Sequence, residues 1–120
     1  MMKIILVDDD ELVRSVLVEI LRDAGHEVLE TANPHEALGL PGAIGPPGLV
    51  ITDVDLHSTL NGFDVASSSH RLWSEVRVIL ISGLPVEHTG QALDARDRYL
   101  QKPFTHNSFL GAIKELVNAA

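Results

Sequence analysis

The chain has 120 residues, a length that suits one domain with its own core. Hydrophobic residues make up 45% and charged residues 22%, the net charge is −8, and there is no cysteine. The acidic balance speaks against direct nucleic-acid binding or a membrane-surface role, both of which need clustered Lys and Arg. Without cysteine, disulfides, thiolate metal sites and thiol nucleophiles fall away.

Met1-Met2-Lys3 is followed by four apolar residues and then three aspartates, too short a run for a signal peptide or a membrane span. The expectation is a cytoplasmic single domain over residues 1–120, with no output domain visible. Lys3 to Val7 reads as a strand buried on both faces, ending at Asp8-Asp9-Asp10. Glu11 to Ala24 reads as a helix. Leu12, Val13, Val16, Leu17, Ile20 and Leu21 form its apolar face, Asp10 caps its start and Gly25 its end. His26 to Thr31 is a weaker strand. Asn33-Pro34 opens a second helix, with Asn33 as the cap and Glu36 at the third position, and Pro41-Gly42 stops it early. Gly45-Pro46-Pro47-Gly48 turns the chain into Leu49-Val50-Ile51-Thr52-Asp53, an uncharged run that ends in a carboxylate.

A polar loop spans Val54 to Gly62. The helix expected from about Phe63 to Trp73 is intrinsically weak because of Ser67-Ser68-Ser69. Arg77 to Ile81 is a further buried strand, ending at Ser82-Gly83. A fourth helix is expected between Pro85 and Asp97, although Gly90 lies inside it and few of its residues are apolar. Arg98 to Gln101 is a short last strand, followed by Lys102-Pro103-Phe104. Thr105 caps a final helix with Phe109, Leu110, Ala112, Ile113, Leu116 and Val117 on one face.

Strands and helices thus alternate five times, which implies a parallel five-stranded sheet with helices on both faces. All strand ends then share one edge, where ligands of open α/β sheets bind. That edge carries Asp8, Asp9, Asp53, Ser82 and Lys102. The three carboxylates repel one another, and a hard divalent cation relieves that repulsion through oxygen ligands. A carboxylate such as Asp53 can act as a nucleophile and hold a phosphoryl group. The Ser82 hydroxyl, the Lys102 ammonium and the Gly83 N–H would meet the phosphoryl oxygens from the other side. Taken singly, each piece has a plainer explanation: a strand ending in Asp is common, the Asp triplet can serve as a helix cap, and Ser-Gly and Lys-Pro are ordinary turns. Their convergence on one edge carries the functional reading. The six histidines, His26, His35, His57, His70, His88 and His106, show no paired ligand spacing and read as surface residues. Trp73 and Phe63 read as packing residues.

This pattern resembles the response-regulator receiver domain of two-component signalling over the whole chain. The residues that carry it are Val7-Asp8-Asp9, Val50-Ile51-Thr52-Asp53, Ile79-Leu80-Ile81-Ser82-Gly83 and Tyr99-Leu100-Gln101-Lys102-Pro103-Phe104. The resemblance implies a flavodoxin-like (βα)5, doubly wound fold with strand order 2-1-3-4-5. It implies that Asp53 accepts a phosphoryl group from a histidine kinase or histidine phosphotransfer protein. It implies Mg²⁺, with Mn²⁺ as an alternative, held by Asp8, Asp9, Asp53 and the backbone carbonyl of Asp55. It implies that Ser82 and Lys102 contact the phosphoryl group, that Tyr99 follows Ser82 as the switch, and that Lys102-Pro103 is cis. A homodimer through the Tyr99 side is compatible with it.

Three departures stand out, one of them the second helix cut short by Pro41-Gly42. The loop after Asp53 lacks the usual Met-Pro pair and its Gly62 comes one residue late. The fourth helix is weak. Two other readings compete with a phosphorylated switch. One is a receiver-like interaction module that is never phosphorylated. The other is a phosphatase of haloacid-dehalogenase type, suggested by Asp53-Val54-Asp55-Leu56, against which stand the early acidic pair and the lack of room for a cap domain.

Overall fold

Five strands alternate with helices, and the sheet order in the computed structural model is β2-β1-β3-β4-β5, all parallel. Residues 2–40 and 45–118 are described; the Pro41-Gly42 stop expected from the sequence lies outside them. The elements are β1 (Lys3–Val7), α1 (Glu11–Asp23), β2 (Glu27–Thr31), α2 (Pro34–Ala37), β3 (Leu49–Asp53), α3 (Gly62–Leu72), β4 (Arg77–Ser82), β5 (Asp97–Gln101) and α4 (His106–Asn118).

Side chains of successive strand residues point to opposite faces, so the uninterrupted apolar runs supply two cores at once. On one face Ile4, Leu6, Leu49, Ile51, Ile79 and Ile81 pack against Leu17 and Leu21 of α1 and Phe109, Ile113 and Leu116 of α4. On the other, Ile5, Val7, Val50, Val78 and Leu80 pack against Ala37 of α2 and Val65 and Ala66 of α3. Trp73 and Phe63 are half-buried against this second core, in the packing role expected of them.

The helix ends follow the side-chain chemistry. Asp10 accepts from the Val13 N–H at 3.1 Å, and Asn33 accepts from His35 N–H at 2.8 Å. Thr105 accepts from Ser108 N–H at 3.0 Å. Gly25 takes φ +91° just past α1, the left-handed turn that ends a helix. At α3 a full capping box forms, with Asn61 accepting from Asp64 N–H and Asp64 accepting from Asn61 N–H. The serine run does not prevent α3, because Ser69 is buried and its hydroxyl donates to the Val65 carbonyl at 2.7 Å.

Two expectations are corrected. Between β4 and β5 there is no α-helix, only a single 3-10 turn at Val86–His88. Gly90 takes φ +69°, which a right-handed helix cannot contain, and neither Ala92 nor Leu93 is buried enough to anchor one. The apolar face of α1 is also narrower than the sequence pattern. Leu12 and Val16 are exposed, while Leu17, Val18 and Leu21 are buried.

Candidate functional site

Register brings the site together. Val7 pairs with Thr52, so Asp8 follows β1 beside Asp53 at the end of β3. Ser82 pairs with Gln101, so Lys102 follows β5 beside Ser82, and the Lys102 N–H donates to the Ser82 carbonyl at 2.7 Å. The peptide bond between Lys102 and Pro103 is cis. Of the residues expected at the sheet edge, Asp9, Asp53, Ser82 and Lys102 line one cleft of 720 Å³ together with Asp55 and Gly83, while Asp8 lies buried beside Asp53.

Asp8 is 1% exposed. One of its oxygens accepts from the Asp10 N–H at 2.9 Å, and the other, Oδ2, is buried without a partner. Burial, reinforced by the Asp53 and Asp9 charges, pushes the Asp8 carboxyl up to about 6. Asp53 is buried as well. Its Oδ2 accepts from Lys102 Nζ at 3.1 Å and its Oδ1 from the Asp55 N–H at 3.2 Å. Burial opposes the charge on Lys102, but the hydrogen bond to Asp53 and the nearby carboxylates prevail and raise its pKa. Asp8, Asp9 and Asp53 each bring one carboxylate oxygen within 4.8 Å of the others.

The donor set fits a hard divalent cation. The oxygens are carboxylates, a single ammonium faces them, and the orphaned Asp8 Oδ2 is a buried acceptor that a cation would satisfy.

Ser82 and Tyr99 are linked through Leu84. The Ser82 hydroxyl accepts from the Leu84 N–H at 3.1 Å, and the Tyr99 hydroxyl donates to the Leu84 carbonyl at 2.6 Å. Leu84 itself is exposed beside the cleft.

Gly62, noted in the sequence only as a late glycine of the loop after Asp53, packs against the backbone of Asp53 itself. A Cβ there would lie 2.5 Å from the Asp53 carbonyl oxygen and 2.8 Å from Val54 Cα. The start of α3 thus rests directly on the backbone that presents Asp53, and the Gly62 N–H donates to the Val54 carbonyl at 2.9 Å.

The surface reading of the histidines fails for His26 and His70 and holds for His57, whose contacts with the acidic residues it did not foresee. His26 is partly buried and its Nδ1 accepts from the Met2 N–H at 3.2 Å. The His70 side chain is 10% exposed and its Nε2 lies 2.7 Å from Asp97 Oδ1, tying α3 to β5. His57 is exposed but sits in the cleft, with its Nδ1 against Asp9 Oδ2 and its Nε2 3.7 Å from Asp55 Oδ2. The hydrogen bond to Asp9, then the Asp55 charge, raises the His57 pKa. These partners are 48 and 27 residues away in sequence, and no local spacing signals them.

A family model described as "Response regulator receiver domain" matches residues 4–114. Among curated relatives, the "DNA-binding transcriptional regulator NtrC" of Azospirillum brasilense is 32% identical over 97% of this chain and 24% of its own length. The "Transcriptional regulatory protein PdtaR" of Mycobacterium tuberculosis is 30% identical over 97% of this chain and 57% of its own. The chain thus spans well under two thirds of these relatives. Among solved structures, the receiver domain of the hybrid histidine kinase CckA superposes with a TM-score of 0.79 at 29% identity, covering 97% of this chain and 99% of that one. A receiver protein from Sinorhizobium medicae superposes with a TM-score of 0.86 at 23% identity, a likeness of fold. Among the described residues no helix is long and apolar enough to cross a membrane. The chain belongs to the response-regulator receiver domain family of two-component signalling.

Proposed function

We propose that the domain is a phosphoacceptor switch in which Asp53 takes the phosphoryl group. The observation that carries this reading is the pairing of a buried carboxylate, Asp53, with Lys102 at 3.1 Å, beside a second buried carboxylate whose Oδ2 has no partner. Such a cluster is held at a cost of desolvation that ordinary packing would avoid.

The proposed donor is a phosphohistidine of a histidine kinase or phosphotransfer protein, a reading supported by the likeness to the receiver domain of a hybrid histidine kinase, CckA. An Asp53 oxygen attacks phosphorus, the P–N bond breaks, and the leaving imidazole nitrogen takes up a proton. Lys102 Nζ and the Ser82 hydroxyl donate to the phosphoryl oxygens. Asp8, Asp9, Asp53 and the Asp55 backbone carbonyl would hold Mg²⁺ or Mn²⁺, which supplies charge neutralisation for the incoming phosphoryl group. As Ser82 turns to the phosphoryl group, its hold on the Leu84 N–H is released. The Tyr99–Leu84 contact then rearranges, biasing a two-state surface around β5 that a partner protein reads. The family assignment favours this signalling role over the phosphatase reading. The cytoplasm is the compartment proposed for this reaction.

Intact-mass measurement after incubation with acetyl phosphate and Mg²⁺, or with a histidine kinase, tests the proposal. One phosphoryl adduct is expected in the wild type, absent in Asp53→Asn and abolished by EDTA. No adduct from either donor, with the fold intact, supports the unphosphorylated interaction module instead.

A further inference from the structure

The loop after β3 carries a residue whose geometry bears on when the site becomes competent. His57 is the one described non-glycine residue with positive φ, at +49°, a conformation sparsely populated by side-chain-bearing residues. Its peptide N–H lies 3.4 Å from Asp55 Oδ1, and its imidazole reaches back over the cleft to Asp9 Oδ2. Each carboxylate of the cluster thereby has a protein partner: Asp53 has Lys102, Asp8 has the Asp10 N–H, and Asp9 has His57. The three differ in how firmly they are held. Lys102 is half-buried and the Asp10 N–H is fixed by backbone, but the His57 side chain is 75% exposed and is held by contacts with the Asp9 and Asp55 carboxylates.

We propose that His57 is a built-in competitor for the divalent cation: it occupies Asp9 Oδ2 and must swing out before that oxygen can act as a ligand. It thereby sets the cation concentration at which the site becomes competent. The inference rests on the phosphoacceptor reading for the identity of the cation site, and on the Asp9 contact for its content. Imidazole nitrogen is a poor ligand for Mg²⁺, so displacement rather than joint coordination follows from the donor chemistry. An exposed side chain can leave at small cost, so the competition is modest in size and reversible.

The test is Mg²⁺ titration of the full chain by calorimetry at one fixed pH, with the wild type, His57→Ala, His57→Gln and Asp9→Asn. His57→Ala is expected to bind Mg²⁺ about two- to fivefold more tightly, the range of an exposed charged contact. His57→Gln, which keeps an amide donor for Asp9, falls between, and Asp9→Asn loses most of the affinity. In the wild type, the His57 imidazole nitrogen resonances are expected to move with the same midpoint as Mg²⁺ binding, a readout that needs no variant. Weaker binding by His57→Ala overturns the proposal and makes His57 a ligand. Unchanged affinity with unmoved imidazole resonances overturns it while leaving the phosphoacceptor reading intact. No Mg²⁺ binding by the wild type and His57→Ala alike overturns both.

Discussion

Replacing Gly62 by alanine perturbs the joint between α3 and the strand end that carries Asp53. The added Cβ meets the Asp53 carbonyl oxygen at 2.5 Å, Val54 Cα at 2.8 Å and the Asp53 carbonyl carbon at 3.0 Å. Comfortable carbon contacts lie near 3.5–4.0 Å, so the backbones must separate by roughly 1 Å. All three atoms are main chain, and they are tied. Gly62 N–H bonds to the Val54 carbonyl at 2.9 Å and Val54 N–H to the Ile81 carbonyl at 2.8 Å. Overpacking of this kind costs about 1–3 kcal/mol, against less than about 1 kcal/mol gained from alanine in a helix. The expected net loss is about 2 kcal/mol, or roughly 6–10 °C in Tm for a domain of this size. Gly111 in α4 is the control, because a Cβ there meets nothing within 4 Å. Gly111→Ala is expected to gain about 0.5–1 kcal/mol. Thermal denaturation by circular dichroism separates the two. A Gly62→Ala protein as stable as Gly111→Ala would refute the reasoning.

Other consequences are equally direct. The Asp8 carboxyl sits at about 6 rather than 3.8, so in metal-free protein it favours folding while protonated, below about pH 4. That contribution is lost as pH rises from about 4 to 6, and the loss amounts to about 3 kcal/mol. Asp8→Asn in EDTA should therefore gain stability over the wild type across that window and hold the gain at pH 7.5, as urea titrations at each pH would reveal. Equal pH profiles would contradict the burial argument. His70→Ala leaves Asp97, whose side chain is 5% exposed, without its buried partner. A loss of about 2–4 kcal/mol is expected in the urea midpoint at neutral pH, and a change below about 0.5 kcal/mol would count against the pair. Lys102→Ala removes the ammonium on Asp53, and adduct formation from acetyl phosphate should slow by about tenfold or more. An unchanged rate would exclude Lys102 from the chemistry.

The strands were legible because β1, β3 and β4 must be apolar on both faces, and a run such as Leu49 to Thr52 has few other uses. Their parallel arrangement followed from alternation, which alone brings Asp8, Asp53, Ser82 and Lys102 to one edge, while the strand order 2-1-3-4-5 was implied by the family resemblance. The missing helix between β4 and β5 is a case where local chemistry outweighed alternation. Gly90 and the sparse apolar positions of that segment were visible, but the regular pattern argued for a helix that they cannot support. Leu12 and Val16 misled because periodicity gives a stripe and not its width, and only packing against the sheet decides which edge is covered. The contacts of His57 and His70, and the close packing of Gly62 on the Asp53 backbone, were illegible for a common reason. Each gains its role from a partner brought near by the fold, whether Asp9, Asp97 or the Asp53 backbone, and none belongs to a local motif.

If Asp53 accepts the phosphoryl group, chemical trapping of the aspartyl phosphate locates it there. The chain is phosphorylated with Mg²⁺ and a small or protein donor, then reduced with borohydride, which converts an aspartyl phosphate to homoserine. Peptide mass spectrometry then locates the conversion. The account predicts homoserine at position 53 alone, dependent on Mg²⁺. Conversion at Asp8, Asp9 or Asp55, or at none of the acidic residues despite an intact fold and a competent donor, would contradict it.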